Sequence, residues 1–252
     1  MINTKLFKEI ANLEHTNIFP NIIREYIQNI FLMELYQLKS SEKLLFKGGT
    51  ALRIIYNSPR FSEDLDFSLI VTEEHKVKSC VENLFFTTLS KIENIGVKIE
   101  IDKKSGPTKG GYFGLAIIYI EPYPPINIEI NISTRNAKNL QSEVDSITNN
   151  FIPAYTLYHL AQEEIVSEKI FGALVERKKP RDYYDLYFML RNNMLSIKQK
   201  KALVKIAKDI IDTAKDINFQ TELGVFLPIS QQAIIKDFPK TLEREMRNKL
   251  SI

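Results

Sequence analysis

The chain reads as an α/β protein: a mixed sheet with flanking helices in its first part and a helical domain behind it. Three observations predict this. Short apolar or alternating runs cluster between residues 44 and 132, and helical spacing dominates from Leu157 onward. Between them, about 133–154 is polar and weakly periodic, as a linker is. These features predict an N-terminal domain with leading helices at 1–150 and a C-terminal helical domain at 151–252.

Ile22, Ile23, Tyr26, Ile27, Ile30, Phe31, Leu35 and Leu38 recur at helical spacing and predict an amphipathic helix over 20–39. Leu44-Leu45-Phe46 is a short apolar run, readable as a buried strand. Gly48 and Gly49 follow, and Thr50 is placed to cap a helix over 51–56. A strand is expected over 61–70, around Asp64-Leu65-Asp66-Phe67-Ser68-Leu69. The next helix, 73–94, collects Val77, Val81, Leu84, Phe85, Thr88 and Leu89 on one side and stops at Gly96. Residues 97–102 alternate strictly, as a half-buried strand does, and 112–121 form a longer apolar strand. Residues 126–132 alternate again, with Asn127, Glu129 and Asn131 on the polar face. Ile165, Val166, Ile170, Phe171, Leu174 and Val175 predict one helix. Further helices are expected in 186–190, 197–214 and 230–250, the last broken in two by Pro239.

Composition sets outer bounds. With 252 residues, 44% hydrophobic and 26% charged, the chain is long enough for a substantial core and ordinary for a soluble globular protein. A net charge of +3 and a pI near 8.7 tolerate a nucleic-acid partner without demanding one. A single cysteine, Cys80, excludes an intramolecular disulfide and suits a reducing cytoplasm. The N-terminal residues lack the apolar core of a signal peptide, and no apolar run is long enough to span a bilayer, so a cytoplasmic location away from membranes is expected.

The chemistry concentrates in Lys47-Gly48-Gly49-Thr50-Ala51-Leu52-Arg53 and in Arg60-Phe61-Ser62-Glu63-Asp64-Leu65-Asp66-Phe67. A glycine turn before a helix lets backbone N–H groups approach a phosphate. Asp64 and Asp66, two apart on a strand, share a face, and such a pair repels unless a cation lies between its members. Hard oxygen ligands suit Mg²⁺, which shares its shell with substrate phosphates. Each piece alone has a plain reading, as a strand-to-helix turn or a solvated acidic strand end. Their closeness favours chemistry on a nucleotide's phosphoryl group.

Together the two stretches resemble the nucleotidyltransferase signature of the AbiEii/AbiGii toxin family, within the polymerase-β-like nucleotidyltransferases. A second block is similar to that family's Glu-Lys helix and Arg-Asp-x-x-Asp-Leu motif. It comprises Glu164-Ile165-Val166-Ser167-Glu168-Lys169, then Arg177 and Pro180-Arg181-Asp182-Tyr183-Tyr184-Asp185-Leu186-Tyr187. The resemblance runs from about residue 43 to 190, with Gly-Gly-Thr where the broader superfamily usually has Gly-Ser. It implies a polymerase-β-like fold and transfer of an NMP from an NTP, with two Mg²⁺ ions, to an RNA acceptor such as the 3′ end of tRNA. Growth arrest would follow, within a toxin–antitoxin or phage-defence system whose antitoxin is typically a DNA-binding regulator. By this resemblance Gly48, Gly49, Thr50 and Ser62 bind the nucleotide, and Asp64 and Asp66, with Glu129, hold metal. Lys169 contacts the triphosphate, and Asp182 or Asp185 assists the acceptor hydroxyl.

Each assignment has a competitor. Glu121 is a weaker rival of Glu129. Lys169 also fits a lysine snorkelling beside an apolar stripe, and Asp182 and Asp185 also fit helix capping. The loop 103–111, with Lys103, Lys104 and Lys109, reads as a flexible hairpin loop able to meet an RNA backbone. Lys198, Lys200, Lys201, Lys205 and Lys208 read as an exposed helix face. His15, His75 and His159 show no metal spacing, and Tyr183, Tyr184 and Tyr187 suit a core as well as a stacking surface. Two other functions remain open at this level: a catalytically silent RNA- or protein-binding module of the same fold, and NMP transfer to protein.

Overall fold

The computed structural model describes residues 4–13, 19–70, 77–134, 140–150 and 152–251. It divides into two compact units. The first comprises Met1–Asn57 and Phe61–Leu160, the second Ser58–Arg60 and Ala161–Ile252.

The first unit is built on an eight-stranded mixed sheet. Two helices lead into it, α1 (Thr4–Leu13) and α2 (Phe19–Leu35). Strand β1 (Leu44–Lys47) turns directly into the short helix α3 (Gly48–Ile54), and β2 (Leu65–Leu69) returns antiparallel to β1. Helix α4 (Val77–Asn94) follows, then β3 (Lys98–Ile101), β4 (Gly106–Thr108), β5 (Gly111–Tyr119), β6 (Ile126–Ser133), β7 (Ser142–Ile147) and β8 (Tyr155–Leu160). The order across the sheet is β3-β5-β6-β2-β1-β8-β7, with β4 paired to β5. Strands β2 and β6, and β1 and β8, run parallel, which places β1 and β2 at the centre. Leu45, Phe46, Leu65, Phe67 and Leu69 are almost completely buried there, and the rings of Phe46 and Phe67 lie 5.5 Å apart. Helix α2 ends at Leu35, earlier than its apolar spacing predicts. The Tyr36 hydroxyl then lies 2.8 Å from the Leu44 carbonyl and 2.7 Å from that of Tyr158, tying the helix end to β1 and β8.

Four expectations need correction in this unit. The stretch read as a linker contains β7, and the helical signal placed from Leu157 begins inside β8, the first helix starting only at Gln162. Strand β7 is a sheet edge whose residues are exposed except Ile147, so it has no apolar alternation to betray it. Strand β3 is likewise an exposed edge rather than half-buried, because the apolar anchor of its run, Val97, sits just before it. The loop 103–111 is not all loop, since Gly106, Pro107 and Thr108 pair with Phe113, Tyr112 and Gly111. Of the helix predicted over 73–94, residues 73–76 lie outside those described.

The second unit is helical. Helix α5 (Gln162–Ser167) runs on as a π-helical segment (Glu168–Leu174) and a last α turn, α6 (Val175–Arg177). The apolar stripe correctly announces a helix, but it does not reveal the wider turn around Lys169. Helices α7 (Pro180–Arg191), α8 (Ile197–Ala214), α9 (Gln220–Phe226) and α10 (Phe238–Leu250) complete it, with a 3₁₀ segment at Ile229–Asp237. Pro239 stands in the first turn of α10, where its missing N–H costs nothing. Tyr183, Tyr184 and Tyr187 cluster with Phe219 and Phe238; Tyr183 and Tyr184 are core, and the half-buried Tyr187 stands at its edge. Burial pushes the Tyr183 phenol up to about 12.

Candidate active site

The carboxylates of the first unit stand where two sequence motifs meet. Lys47 on β1 is opposite Asp66 on β2, and Asp66 is opposite Asn131 on β6. The Asn131 amide donates to the Asp66 carboxylate at 3.4 Å. Asp64 immediately precedes β2, which starts later than the predicted 61–70, and both aspartates are half-buried. In the same parallel register, Asp64 and Glu129 lie one step before the pair Leu65 and Ile130. Glu121 lies off β6, exposed in the turn after β5.

Gly48 is required at its position for two reasons. Its φ is +86°, which few other residues adopt, and a Cβ there would lie 2.9 Å from Cβ and Cγ of Asp66 and nearer still to its carboxylate oxygen. The Asp66 side chain thus rests directly on the glycine backbone. A Gly48→Ala protein is expected to fold with a lowered melting temperature, because alanine is strained at that φ, and to displace the Asp66 carboxylate. Nucleotide transfer should fall about a hundredfold, as misplacement of reacting groups by an ångström does. Labelled-nucleotide transfer measured beside a circular-dichroism melt checks this. Unchanged transfer in a folded variant would refute it.

The neighbouring segments are held as one piece. Thr50 is not the cap expected of it: helix α3 starts at Gly48, and the buried Thr50 hydroxyl donates to the Asp64 carbonyl. Gln28 on α2 donates to the carbonyls of Ser62 and Glu63 at 3.1 and 2.9 Å. Arg53 forms a two-pronged pair with Glu25 at 2.9 and 3.0 Å, and its guanidinium lies 4.4 Å from the centre of the Phe61 ring. The turn, the approach to Asp64 and helix α2 are therefore cross-linked. Gln28 and Glu25 carry no motif signal, since a buried polar residue on an apolar helix announces only a partner somewhere in the fold.

Two pockets open beside the carboxylates. One, of about 280 Å³, is lined by Arg24, Glu63, Asp64, Asn127 and Glu129 together with Pro124 and Pro125. Arg24 pairs with Glu63 at 3.3 Å. Burial lowers its pKa, with the charges of Glu63 and Asp64 opposing the shift. The other, of about 600 Å³, includes Lys47, Asp66, Thr108, Lys109, Phe113 and Asn131. Among the described residues no three of His, Cys, Asp and Glu close into a metal cage. His159 is buried between the Leu160 carbonyl and Asp145, while His15 and His75 lie outside the described residues.

In the second unit Lys169, Asp185 and Arg60 form one buried cluster. Arg60 grips Asp185 with two nitrogens at 2.9 and 3.0 Å, and the Lys169 ammonium donates to the same carboxylate at 2.7 Å. Burial alone pushes Asp185 up, but the two cations outweigh it and hold the carboxyl below its ordinary range. Arg60 was visible only as the first residue of a motif; its partner lies 125 positions away. Asp182 behaves as a capping residue, accepting from the Lys179 backbone N–H at 3.3 Å and from Arg177 at 2.6 Å.

Comparison with known proteins places this geometry. A family model described as the nucleotidyl transferase AbiEii toxin of type IV toxin–antitoxin systems matches residues 30–249. The chain belongs to the AbiEii family. Two solved structures share its fold. JHP933 from Helicobacter pylori is 22% identical over 92% of each chain, and a proposed nucleotidyltransferase from H. pylori is 20% identical over 91% of this chain and 94% of its own, both with a TM-score of 0.60. No curated protein matches. A mixed sheet carrying the glycine turn and the Asp-x-Asp strand, with a helical unit after it, is the polymerase-β-like nucleotidyltransferase fold. Family and fold together support nucleotidyl transfer as the reaction class, with a nucleoside triphosphate substrate and an antitoxin partner implied in general terms. Among the described residues no helix is long and apolar enough to cross a membrane.

Proposed function

We propose that this protein is a Mg²⁺-dependent toxin that transfers an NMP from an NTP to an RNA hydroxyl, with the 3′ end of tRNA as the acceptor. The observation that carries the reading is the seating of Asp66 on Gly48, which brings a carboxylate against a phosphate-type turn. The donor chemistry suits the metal: Asp66 on β2, Asp64 just before it and Glu129 on the parallel β6 carry hard oxygens, and they would have to draw together to share one ion, leaving other positions for substrate oxygens. When bound, Mg²⁺ would supply charge neutralisation at the transferring phosphoryl group. The chain supplies position. The N–H groups of Gly49 and Thr50, in the first turn of α3, lack intrahelical acceptors and offer hydrogen bonds to phosphate, with Ser62 beside them in sequence. The Thr50 hydroxyl serves the scaffold by holding Asp64, so its contribution to the nucleotide is its backbone.

Lys169 is proposed to steady the triphosphate. Asp185, held ionised between two cations, is a poor proton acceptor, and its role is to position Lys169. Growth arrest follows from blocking the acceptor's 3′ hydroxyl, and an antitoxin restrains it. The test incubates purified protein with Mg²⁺, each α-labelled NTP in turn, and total bacterial RNA with soluble protein. Label on tRNA-sized, nuclease-sensitive product supports the reading. Label that survives nuclease but not protease redirects the acceptor to protein, and none with any NTP overturns the transferase assignment.

A further inference from the structure

Residues in register across neighbouring strands share a face of a sheet. Phe113 on β5 stands opposite Asn131 on β6, Asn131 opposite Asp66 on β2, and Asp66 opposite Lys47 on β1. One row therefore runs aromatic, amide, carboxylate, ammonium across four adjacent strands, and all four side chains line the 600 Å³ pocket. The turn of the β4–β5 hairpin closes the far side of that pocket with Thr108, Lys109 and Gly110.

That hairpin is held against the sheet. Gly111 has a φ of +150° and packs so tightly on β6 that a Cβ would lie 2.8 Å from the Ile132 carbonyl carbon. The Thr134 N–H donates to the Gly110 carbonyl at 2.9 Å. A basic stretch expected to wave in solvent is thus fixed beside the Asp66 pocket, with Lys109 exposed at its tip and Lys103 and Lys104 exposed at its other end. No acidic residue interrupts the segment 103–111.

We infer that this strip is the acceptor site: a binding groove for a single-stranded RNA end, in which Phe113 stacks a base and Lys109 meets the backbone phosphates. This inference rests on the transferase reading for the identity of the acceptor. An aromatic face joined to a cationic rim is the arrangement that holds single strands without reading sequence, because every base has a π-face and every linkage a charge. A lone triphosphate would use the charge of Lys47 and Lys109 but would leave the aromatic face of Phe113 unused. Asn131, hydrogen-bonded to the Asp66 carboxylate, ties the groove to the proposed reaction centre.

The test measures fluorescence anisotropy of a short fluorescein-labelled single-stranded RNA in EDTA, with wild type, Phe113→Ala, Lys109→Glu and Lys205→Glu. The last changes the same charge on the exposed face of α8. Phe113→Ala and Lys109→Glu should each weaken RNA binding about tenfold, and Lys109→Ala should lower the salt slope by about one. Lys205→Glu should bind as wild type, and Mg²⁺–NTP affinity by calorimetry should be unchanged in all of them. Phe113 is half-buried, so its melt is recorded too, and the exposed Lys109 variants decide the matter if Phe113→Ala is unstable. RNA affinity unchanged in the Lys109 variants overturns the inference. So does weakened NTP binding with intact RNA binding, which would make the strip a nucleotide pocket. Because the anisotropy assay needs no turnover, it tests the groove independently of labelled transfer.

Discussion

Asp66→Ala is expected to reduce labelled transfer by roughly a hundredfold to a thousandfold and to abolish growth arrest on expression, in a protein that still folds. The loss is that large because the carboxylate is proposed to work on charge that develops at the phosphoryl group, where removing a single stabilising group costs ~10²–10³ in rate. Folding survives because the side chain is half-buried and borders a pocket, so its removal frees space beside Gly48 instead of leaving a charge stranded. The same geometry gives a sharper check. Gly48→Ala acts by displacing Asp66, so in an Asp66→Ala background it should cost almost no further activity, whereas independent residues would show additive losses. Wild-type rates in Asp66→Ala would sink the proposed function outright.

The second large effect is on stability. Asp185→Ala removes the buried carboxylate that both Arg60, with a side chain only 3% exposed, and Lys169 contact. Breaking one side of such a cluster costs ~3–5 kcal/mol, which for a chain of this length lowers the melting temperature by roughly 10 °C. The sign with pH also follows. The folded-state pKa of Asp185 is lowered, so its ionisation contributes stability above the ordinary aspartate range near pH 4 and loses it as pH falls through the lower folded value. Wild type should therefore lose stability with falling acid pH more steeply than Asp185→Asn does. Melting curves from pH 7 downward compare the two. Parallel acid limbs, or a melting temperature unchanged in Asp185→Ala, would show that the cluster contributes nothing to the helical unit.

Much of this architecture was legible from local pattern. Strands β1, β2, β5 and β6 each bury at least one face, so apolar runs or strict alternation betray them. Pro239 and Gly96 punctuate helices where backbone chemistry says they should. Gly48 announced a special backbone and Asp64-Leu65-Asp66 a shared face, from residue type and spacing alone. Strand β7 could not be read in this way, because an exposed edge strand buries almost nothing and its hydrogen bonds to β8 leave no hydrophobic signature. The π-helical segment keeps a helical stripe, so the sequence shows a helix without its pitch.

Thr50 shows the limit for side chains. A threonine after two glycines fits a cap, yet its hydroxyl finds the Asp64 carbonyl, a partner supplied by the return of β2. Asp185 shows the same limit at longer range. Its motif marks it as an acid for chemistry or for capping, and neither reading contains Arg60. The sequence by itself determined the fold class, the glycine turn and the set of acidic and basic candidates, since these depend on residue type and near-neighbour spacing. Only the tertiary structure decided which candidates meet, because strand register and helix packing join residues that no local periodicity connects.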